Sequence, residues 1–404
     1  MHRLIYAWNY VEWGGAQVYV LGLIKTARRE FEVIVILPKG TDPQFLGFLR
    51  SNSIRYEEFE TAADLRPAVG ILAKINRRWR RLQSEDEMIK KIRQVGVRNT
   101  IVHTDIGPSQ SLFSLIRLCR IAPVFITGHN ALPDVSWWRL YRMRIKFFAA
   151  SFCTNLHVFC ANEHAARYFK GLYSRRIADS IMVTSASIDP EKIEGIRKSK
   201  FERAETLAKL GISSDKFIVL SVGQFIDRKG RWTLLDAARK VVSEDDNIEF
   251  VWLTSSDPDE FDRSRIATYK LKGRFHLVSS ADIGTDHDDV LSFFRIGDVF
   301  ALPSFVEGLP ISLLESMALG LAAISTNAYG IPEAIRNEET GLLIEPGDAG
   351  ALAAAILRLK NDPYLRRRLA VAGRNHVLHS FDERKAALIA VNEYRHAFDP
   401  LNGR

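Results

Sequence analysis

Glu307 and Glu315 stand eight positions apart in the run P-S-F-V-E-G-L-P-I-S-L-L-E-S-M-A-L-G, residues 303–320, where a turn opens into a helix. Gly308 permits tight or left-handed backbone geometry. Pro310 suits the first helical position, because the N–H it lacks would have no intrahelical partner there. The free amides of that first turn can face an anion. Leu313, Leu314, Met317, Ala318 and Leu321 recur at three-to-four spacing as a buried stripe, which leaves Glu315 on or beside its edge. One carboxylate therefore precedes an anion-binding helix start, and the other lies about a turn and a half inside it.

A second loop brings positive charge. The run G-Q-F-I-D-R-K-G, residues 223–230, follows the apolar stretch Phe217 to Val222 and sets Arg228 and Lys229 just before a helical pattern. Neighbouring Lys and Arg in a loop are most often surface charge; the glutamate run is what favours a chemical reading here. Lys229 would neutralise a leaving phosphate and the helix dipole after Pro310 would add to it, together replacing a divalent metal. Near the start, Gly14 and Gly15 fall in the first strand-to-helix turn, where backbone amides can approach a phosphate or sugar. The G-x-G-x-x-G pattern of nicotinamide enzymes is absent there. His129 directly follows the strand-like V-F-I-T and is a reasonable polar contact in a cleft, whereas His157, inside L-H-V-F-C, reads as core. His103 closes another strand, and a lone histidine is more often structural than catalytic.

The elements that must position these residues are legible as apolar runs. In the first half, strands are expected at 4–7, 31–37, 100–103, 124–127, 157–160 and 180–183, alternating with helical patterns such as 18–27. In the second half the plan repeats, with strands at 217–222, 249–253, 275–278, 299–302, 322–325 and 341–344. Strands alternating with helices argue for parallel sheets covered on both faces. The fold class is α/β: two tandem Rossmann-like, doubly wound domains facing across a cleft, with the binding crevice at the C-terminal strand ends. The expected domains are 1–195 and 196–382, joined through a charged, strand-poor linker at 190–209, with a final helix at 383–404 packing across them.

Composition narrows the class. At 404 residues and 47% hydrophobic content the chain fits two domains. Cys119, Cys153 and Cys160 form no C-x-x-C pair, which suits reduced thiols, and neither a leader nor an apolar run of about 18 residues is visible. A cytoplasmic protein is expected. The net charge of +8 favours an anionic partner. Arg77, Arg78, Arg80 and Arg81 surround Trp79, and W-W-R-L-Y-R-M-R-I-K-F-F, residues 137–148, mixes four cations with aromatics. Both stretches fit the surface of an anionic membrane, at the inner face of the cell; a solvated helix face for the first and a half-buried helix for the second fit equally well.

The ordered set of motifs resembles the retaining, nucleotide-sugar-dependent glycosyltransferases of family four, which have the GT-B fold. It comprises G-G-A-Q near the start, T-G-H at 127–129, G-x5-K-G ending at Gly230, P-S-x-x-E-G-L-P followed by the E-x7-E pair, G-I-P-E, and T-G-L-L-I-E-P-G-D. The resemblance covers most of the chain and is strongest from Phe217 to Asp348. It implies that Glu307, with the amides of Gly308 and Leu309 beside Pro310, holds donor-sugar hydroxyls and phosphate, and that Glu315 takes the ribose hydroxyls. Lys229 would clamp the diphosphate, Gly15 would contact the donor, and His129 would touch the sugar or help stabilise the transition state. The nucleobase would lie near 278–283. No bound metal and no cofactor beyond the nucleotide sugar are implied, and the leaving phosphate takes the acceptor's proton.

Three departures stand out. Gln224 occupies a position where the family often has arginine, with Arg228 as a possible substitute cation; V-T-S-A-S-I-D at 183–189 replaces V-I-P-N-G-I-D; and Tyr329 replaces the first glycine of G-G-I-P-E. The implied function is transfer of a hexose or N-acetylhexosamine unit to a glycan or lipid-linked acceptor in cell-envelope polysaccharide or glycolipid synthesis. The alternative is a catalytically inactive nucleotide-sugar-binding protein. Nucleic acid is not an expected partner, because no recognition module is apparent.

Overall fold

The computed structural model describes residues 2–9, 11, 15–61, 70–131, 136–255, 258–284 and 286–398. Gly14, one of the two glycines of the first turn, lies outside them. Two compact units divide the chain: residues 1–185 with 384–404 make the first, and residues 186–383 make the second.

The first unit is built on seven parallel strands, β1 (Arg3–Ala7), β2 (Glu32–Pro38), β3 (Arg55–Phe59), β4 (Thr100–Thr104), β5 (Val124–Gly128), β6 (Leu156–Cys160) and β7 (Met182–Val183). They are ordered β3-β2-β1-β4-β5-β6-β7. β1 pairs with β2 on one side (Ile5 opposite Ile34) and β4 on the other (Ile5 opposite Val102). Ile5, Ile34, Val102 and Val124 pack on Met88, Ile89, Leu115 and Phe147 from the covering helices. Because both faces are covered, the central strands read as near-continuous apolar runs.

The second unit repeats the design with β8 (Phe217–Val222), β9 (Ile248–Thr254), β10 (Phe275–Ser279), β11 (Val299–Leu302), β12 (Ala322–Thr326) and β13 (Leu342–Ile344). Their order is β10-β9-β8-β11-β12-β13, again all parallel. Every residue of β8, β9, β11 and β12 is buried. Strand order reverses between β1 and β4 in one unit and between β8 and β11 in the other. Outside the C-terminal ends of such strand pairs, an open α/β sheet leaves its crevice.

Three expectations about organisation change. The stretch expected as a linker folds into the helices Pro190–Lys198 and Arg203–Lys209. Their apolar residues Ile193, Ile196 and Leu207 are buried, and the first helix packs on helices of the second unit, which moves the boundary from 195 to 185. The final helix, Glu383–Phe398, belongs to the first unit from Arg384 onward. There Tyr394 is fully buried, with its ring edge against Phe125 at 4.8 Å and its hydroxyl 2.6 Å from His103 Nδ1. Thirdly, β3 was not expected: its sequence R-Y-E-E-F is polar because an edge strand keeps one side in water.

Candidate functional site

β8 and β11 end at Val222 and Leu302, so the two chemistry-bearing loops leave the sheet side by side at the strand-order reversal. The loop after β8 carries a single helical turn, Asp227–Lys229, that closes on Gly230. Gly230 has φ +75°, and a Cβ there would stand 1.9 Å from the carbonyl oxygen of Pro303. Only glycine lets the two loops approach this closely. Phe305 N donates to Arg228 O at 2.9 Å, and Arg228 Nη1 donates to Val306 O at 3.0 Å, which ties the loops together. Beneath them, Arg231 contacts both Asp227 (2.9 Å) and Asp262 (2.6 Å), and Trp232 Nε1 donates to Asp227 at 2.7 Å.

Glu307 is the meeting point. Its Oε1 lies 2.7 Å from Lys229 Nζ and 3.0 Å from Arg228 Nη1, and accepts from Ser304 Oγ at 3.4 Å. Glu307 and Lys229 side chains are 8% and 12% exposed, so solvent screens this pair far less than a surface pair. Two cations face one carboxylate, which leaves net positive charge at the crevice. Thr326 Oγ1 donates to Ser304 O (2.6 Å) and Ser325 Oγ to Leu302 O (2.7 Å), fixing the backbone that carries Glu307.

Gly308 and Leu309 follow, both buried, and the helix Ile311–Leu319 begins after Pro310. Pro310 is the N-cap, with φ −70° and ψ 119°, rather than the first helical residue; its carbonyl accepts from Leu313 and Leu314 N. The amides of Ile311 and Ser312 thus open the helix with no intrahelical acceptor. Gly308 is not among the glycines of positive φ; Gly223 (+147°) and Gly230 are. Tyr329, which stands where the family motif has glycine, holds φ +50°, and its neighbour Gly330 N donates to Glu307 O at 3.3 Å. A bulky residue in left-handed geometry is strained there in a way that a glycine would not be.

Glu315 is 5% exposed, buried in the helix rather than at the edge of its stripe. Its Oε1 lies 2.9 Å from Nε2 of His287, which opens the helix His287–Phe293. Nothing near His287 in sequence marks it; D-H-D-D reads as a solvated helix start. The region expected for the nucleobase holds the end of β10 and the short helix Ser280–Ile283. Gln224 lies next to Gly223, half-buried, and its carbonyl accepts from Ile226 N at 3.0 Å. Lys229, Arg228 and Glu307 are therefore brought into contact, while Glu315 pairs with His287 instead.

The other two site residues lie in the first unit. Gly15 is the exposed first residue of the helix Gly15–Ala27, and from the same helix Tyr19 sets its ring edge-on to His129, 5.3 Å between centroids. His129 follows β5; its carbonyl accepts from Asn162 Nδ2 at 2.8 Å, and burial pushes its imidazole down to about 4. It lines a cavity of about 200 Å³ at the β1/β4 reversal, together with Trp8, Asp105, Gln110 and Thr127. Burial pushes the Asp105 carboxyl up to about 7. His103 lines the same cavity, with Nε2 2.9 Å from Thr127 Oγ1, and burial holds it neutral with a value of about 3. His157, expected as core, stacks on Phe125 at 4.4 Å but is only half-buried, on the opposite side of its strand from the core residues Leu156, Val158 and Cys160. Cys119, Cys153 and Cys160 are free thiols, and among the described residues no three His, Cys, Asp or Glu side chains gather as a cation site would require.

Two Rossmann-like α/β units are the architecture of the GT-B glycosyltransferases, and solved structures of that class match over nearly the whole chain. One is Anabaena Alr3699/HepE in complex with UDP and glucose, with a TM-score of 0.77 over 98% of this chain and all of that one, at 17% identity. Residues 202–376, most of the second unit, match the family described as glycosyl transferases group 1. Among curated relatives, the chain is 31% identical over 175 residues to the lipopolysaccharide core biosynthesis glycosyltransferase LpsE of Rhizobium meliloti, covering 43% of this chain and 48% of LpsE. It is 25% identical over 224 residues to the Escherichia coli UDP-Gal:alpha-D-GlcNAc-diphosphoundecaprenol alpha-1,3-galactosyltransferase, covering 55% of each. These matches span about half of each relative's length.

Proposed function

We propose that the chain transfers a sugar, with retention, from a nucleoside diphosphate sugar to a glycan or lipid-linked acceptor of the cell envelope. The observation that carries this reading is the convergence of Lys229 and Arg228 on Glu307 at the β8/β11 reversal. A diphosphate entering there meets two cations and the first amides of the helix Ile311–Leu319, so charge developing on the leaving phosphate is stabilised by groups already in place. Glu307 is then released from Lys229 to accept hydrogen bonds from sugar hydroxyls, and Glu315, held by His287, accepts those of the ribose. The phosphate, as it leaves, takes the acceptor's proton.

UDP and glucose occupy a neighbour of the same fold, and one relative is named for UDP-Gal, which makes UDP sugars the first donors to test. A panel of nucleotide sugars screened by thermal shift, followed by transfer assays on lipid-linked and free glycans, tests the proposal. A donor that stabilises the protein and is consumed only with acceptor supports it. Donor binding lost in Glu315→Ala, with no transfer or hydrolysis of any donor by the native protein, would leave only a nucleotide-sugar-binding role. Transfer is expected to persist in EDTA, since Lys229, Arg228 and the helix start supply the positive charge; full loss that Mg²⁺ or Mn²⁺ restores would contradict it.

A further inference from the structure

We infer that the face of the first unit formed by the helices Ile71–Val95 and Trp137–Ala150 docks on an anionic bilayer. On the second of these helices Leu140, Met143, Phe147 and Ala150 pack into the core. A separate apolar stripe, Trp138, Tyr141, Ile145, Phe148 and then Phe152 in the following turn, recurs every three or four residues and points outward. Each of these five side chains is more than half exposed, as is Trp137, which stacks on Trp138 at 3.7 Å. At about 100° per residue, Arg139, Arg142 and Lys146 fall on one flank of the stripe and Arg144 on the other.

The helix Ile71–Val95 repeats the arrangement. Leu72, Ile75 and Trp79 recur at the same spacing and are more than half exposed. Residues 76–80 are all exposed, so this part of the helix stands clear of the core; Arg81 and Leu82 are half-buried, and full burial begins at Ser84. The cations of the two helices meet. Arg81 Nη2 donates to Gln110 O at 2.6 Å and Lys146 Nζ to Ser109 O at 3.2 Å, neighbouring carbonyls of one helix start. Burial, and after it the charges of Arg78, Arg142 and Arg81, push Lys146 down from its ordinary value. Arg78, Arg142 and Lys146 form no ion pair with a carboxylate among the described residues.

Exposed aromatic and aliphatic stripes flanked by unneutralised cations match a bilayer interface, where rings sit at headgroup depth and cations meet lipid phosphates. A second copy of the chain would bring cation against cation. Nucleic acid would leave Leu72, Ile75, Ile145 and Phe148 without an apolar partner. Ser109 and Gln110 also line the cavity that holds His129 and Asp105, so docking brings that cavity to the bilayer surface. The inference does not rest on sugar transfer, because the contact exists without donor or acceptor.

Flotation with vesicles of phosphatidylcholine, with and without phosphatidylglycerol, tests it on the full chain. The native protein is expected to float with the anionic vesicles, less as salt rises, with a blue shift of tryptophan emission. Arg78→Gln/Arg142→Gln/Arg144→Gln should weaken partitioning on the order of 100-fold, since each cation near an anionic surface contributes roughly 1 kcal/mol. Trp138→Ser/Tyr141→Ser/Phe148→Ser should lose the emission shift and most of the flotation. All six positions are exposed, so the thermal midpoint of each variant should stay near the native one and report that the fold is intact. Native protein that stays at the bottom with both vesicles would overturn the inference. So would equal flotation of all variants, or self-association without lipid that the aromatic variant abolishes.

Discussion

Glu307→Gln separates the two roles of the carboxylate. Glu307 Oε1 lies 2.7 Å from Lys229 Nζ and 3.0 Å from Arg228 Nη1, the cations proposed to hold a diphosphate. If a phosphate oxygen takes another hydrogen bond of that Nζ, the two anions stand roughly 5 Å apart. Their repulsion is then about 0.8 kcal/mol in water and about 3 kcal/mol at an effective dielectric of about 20. Arg228 is 41% exposed, which keeps water at the pair and favours the lower half of that range. Replacing the charge by a neutral amide of the same shape should therefore tighten binding of a nucleoside diphosphate by roughly 4- to 30-fold. The same change should slow transfer by about 10²- to 10³-fold, because the amide no longer accepts sugar hydroxyls as a carboxylate does. Without ligand, losing the partner of a Lys229 that is 12% exposed should cost about 1–3 kcal/mol, or several degrees of thermal midpoint. Isothermal titration with the nucleoside diphosphate, thermal unfolding and a transfer assay read the three quantities separately. Nucleoside diphosphate binding that weakens in step with transfer would refute the competition and make Glu307 the group that holds Lys229 in place for the phosphate.

The other expectations concern the supports of the site. Gly230→Ala should cut nucleoside diphosphate affinity at least 10-fold, because the new methyl meets Pro303 O. Gly320→Ala, at φ +95° with open space around it, should cost only about 1–2 kcal/mol of backbone strain and leave binding unchanged, which calorimetry on both variants checks. His287→Ala should lower stability by about 1–3 kcal/mol and weaken nucleotide binding, since buried Glu315 loses its partner; His287→Gln should restore part of both in the same titrations. Asp105 has a folded value of about 7 against an unfolded value of 3.8, so between them the native state keeps a proton that the unfolded chain has released. The stability it contributes is full below about pH 4 and is lost as pH rises toward 7, by at most about 1.4 kcal/mol per unit. Asp105→Asn should therefore gain on the native protein in denaturant unfolding as pH climbs through that window. A constant difference between the two would show that Asp105 titrates as an ordinary carboxyl.

What could be read from the chain divides along a physical line. Strands buried on both faces announce themselves, because most of their positions are apolar; β8, β9, β11 and β12 are visible as runs, whereas the edge strand Arg55–Phe59 is hidden by its own solvent side. Glu307 and Lys229 were each legible as candidates because each sits in a loop with its own glycine punctuation following a clear strand, whereas their direct contact was not read. Topology alone then brings adjacent C-terminal strand ends together. His287, Ser304, Asp262 and Tyr394 were not, since each acts through a contact with a remote segment that no local pattern encodes: His287 with Glu315, and Tyr394 with His103 from the far end of the chain. The same reasoning accounts for Pro310. Its ring suits both the N-cap and the first helical position in sequence, and the choice appears only in its own ψ of 119°, which is extended rather than helical, at the end of a loop that Thr326 and Arg228 hold through Ser304 and Phe305. Identity of a functional side chain is thus a local property of this chain, and the orientation of that side chain is a property of the sheet that carries it.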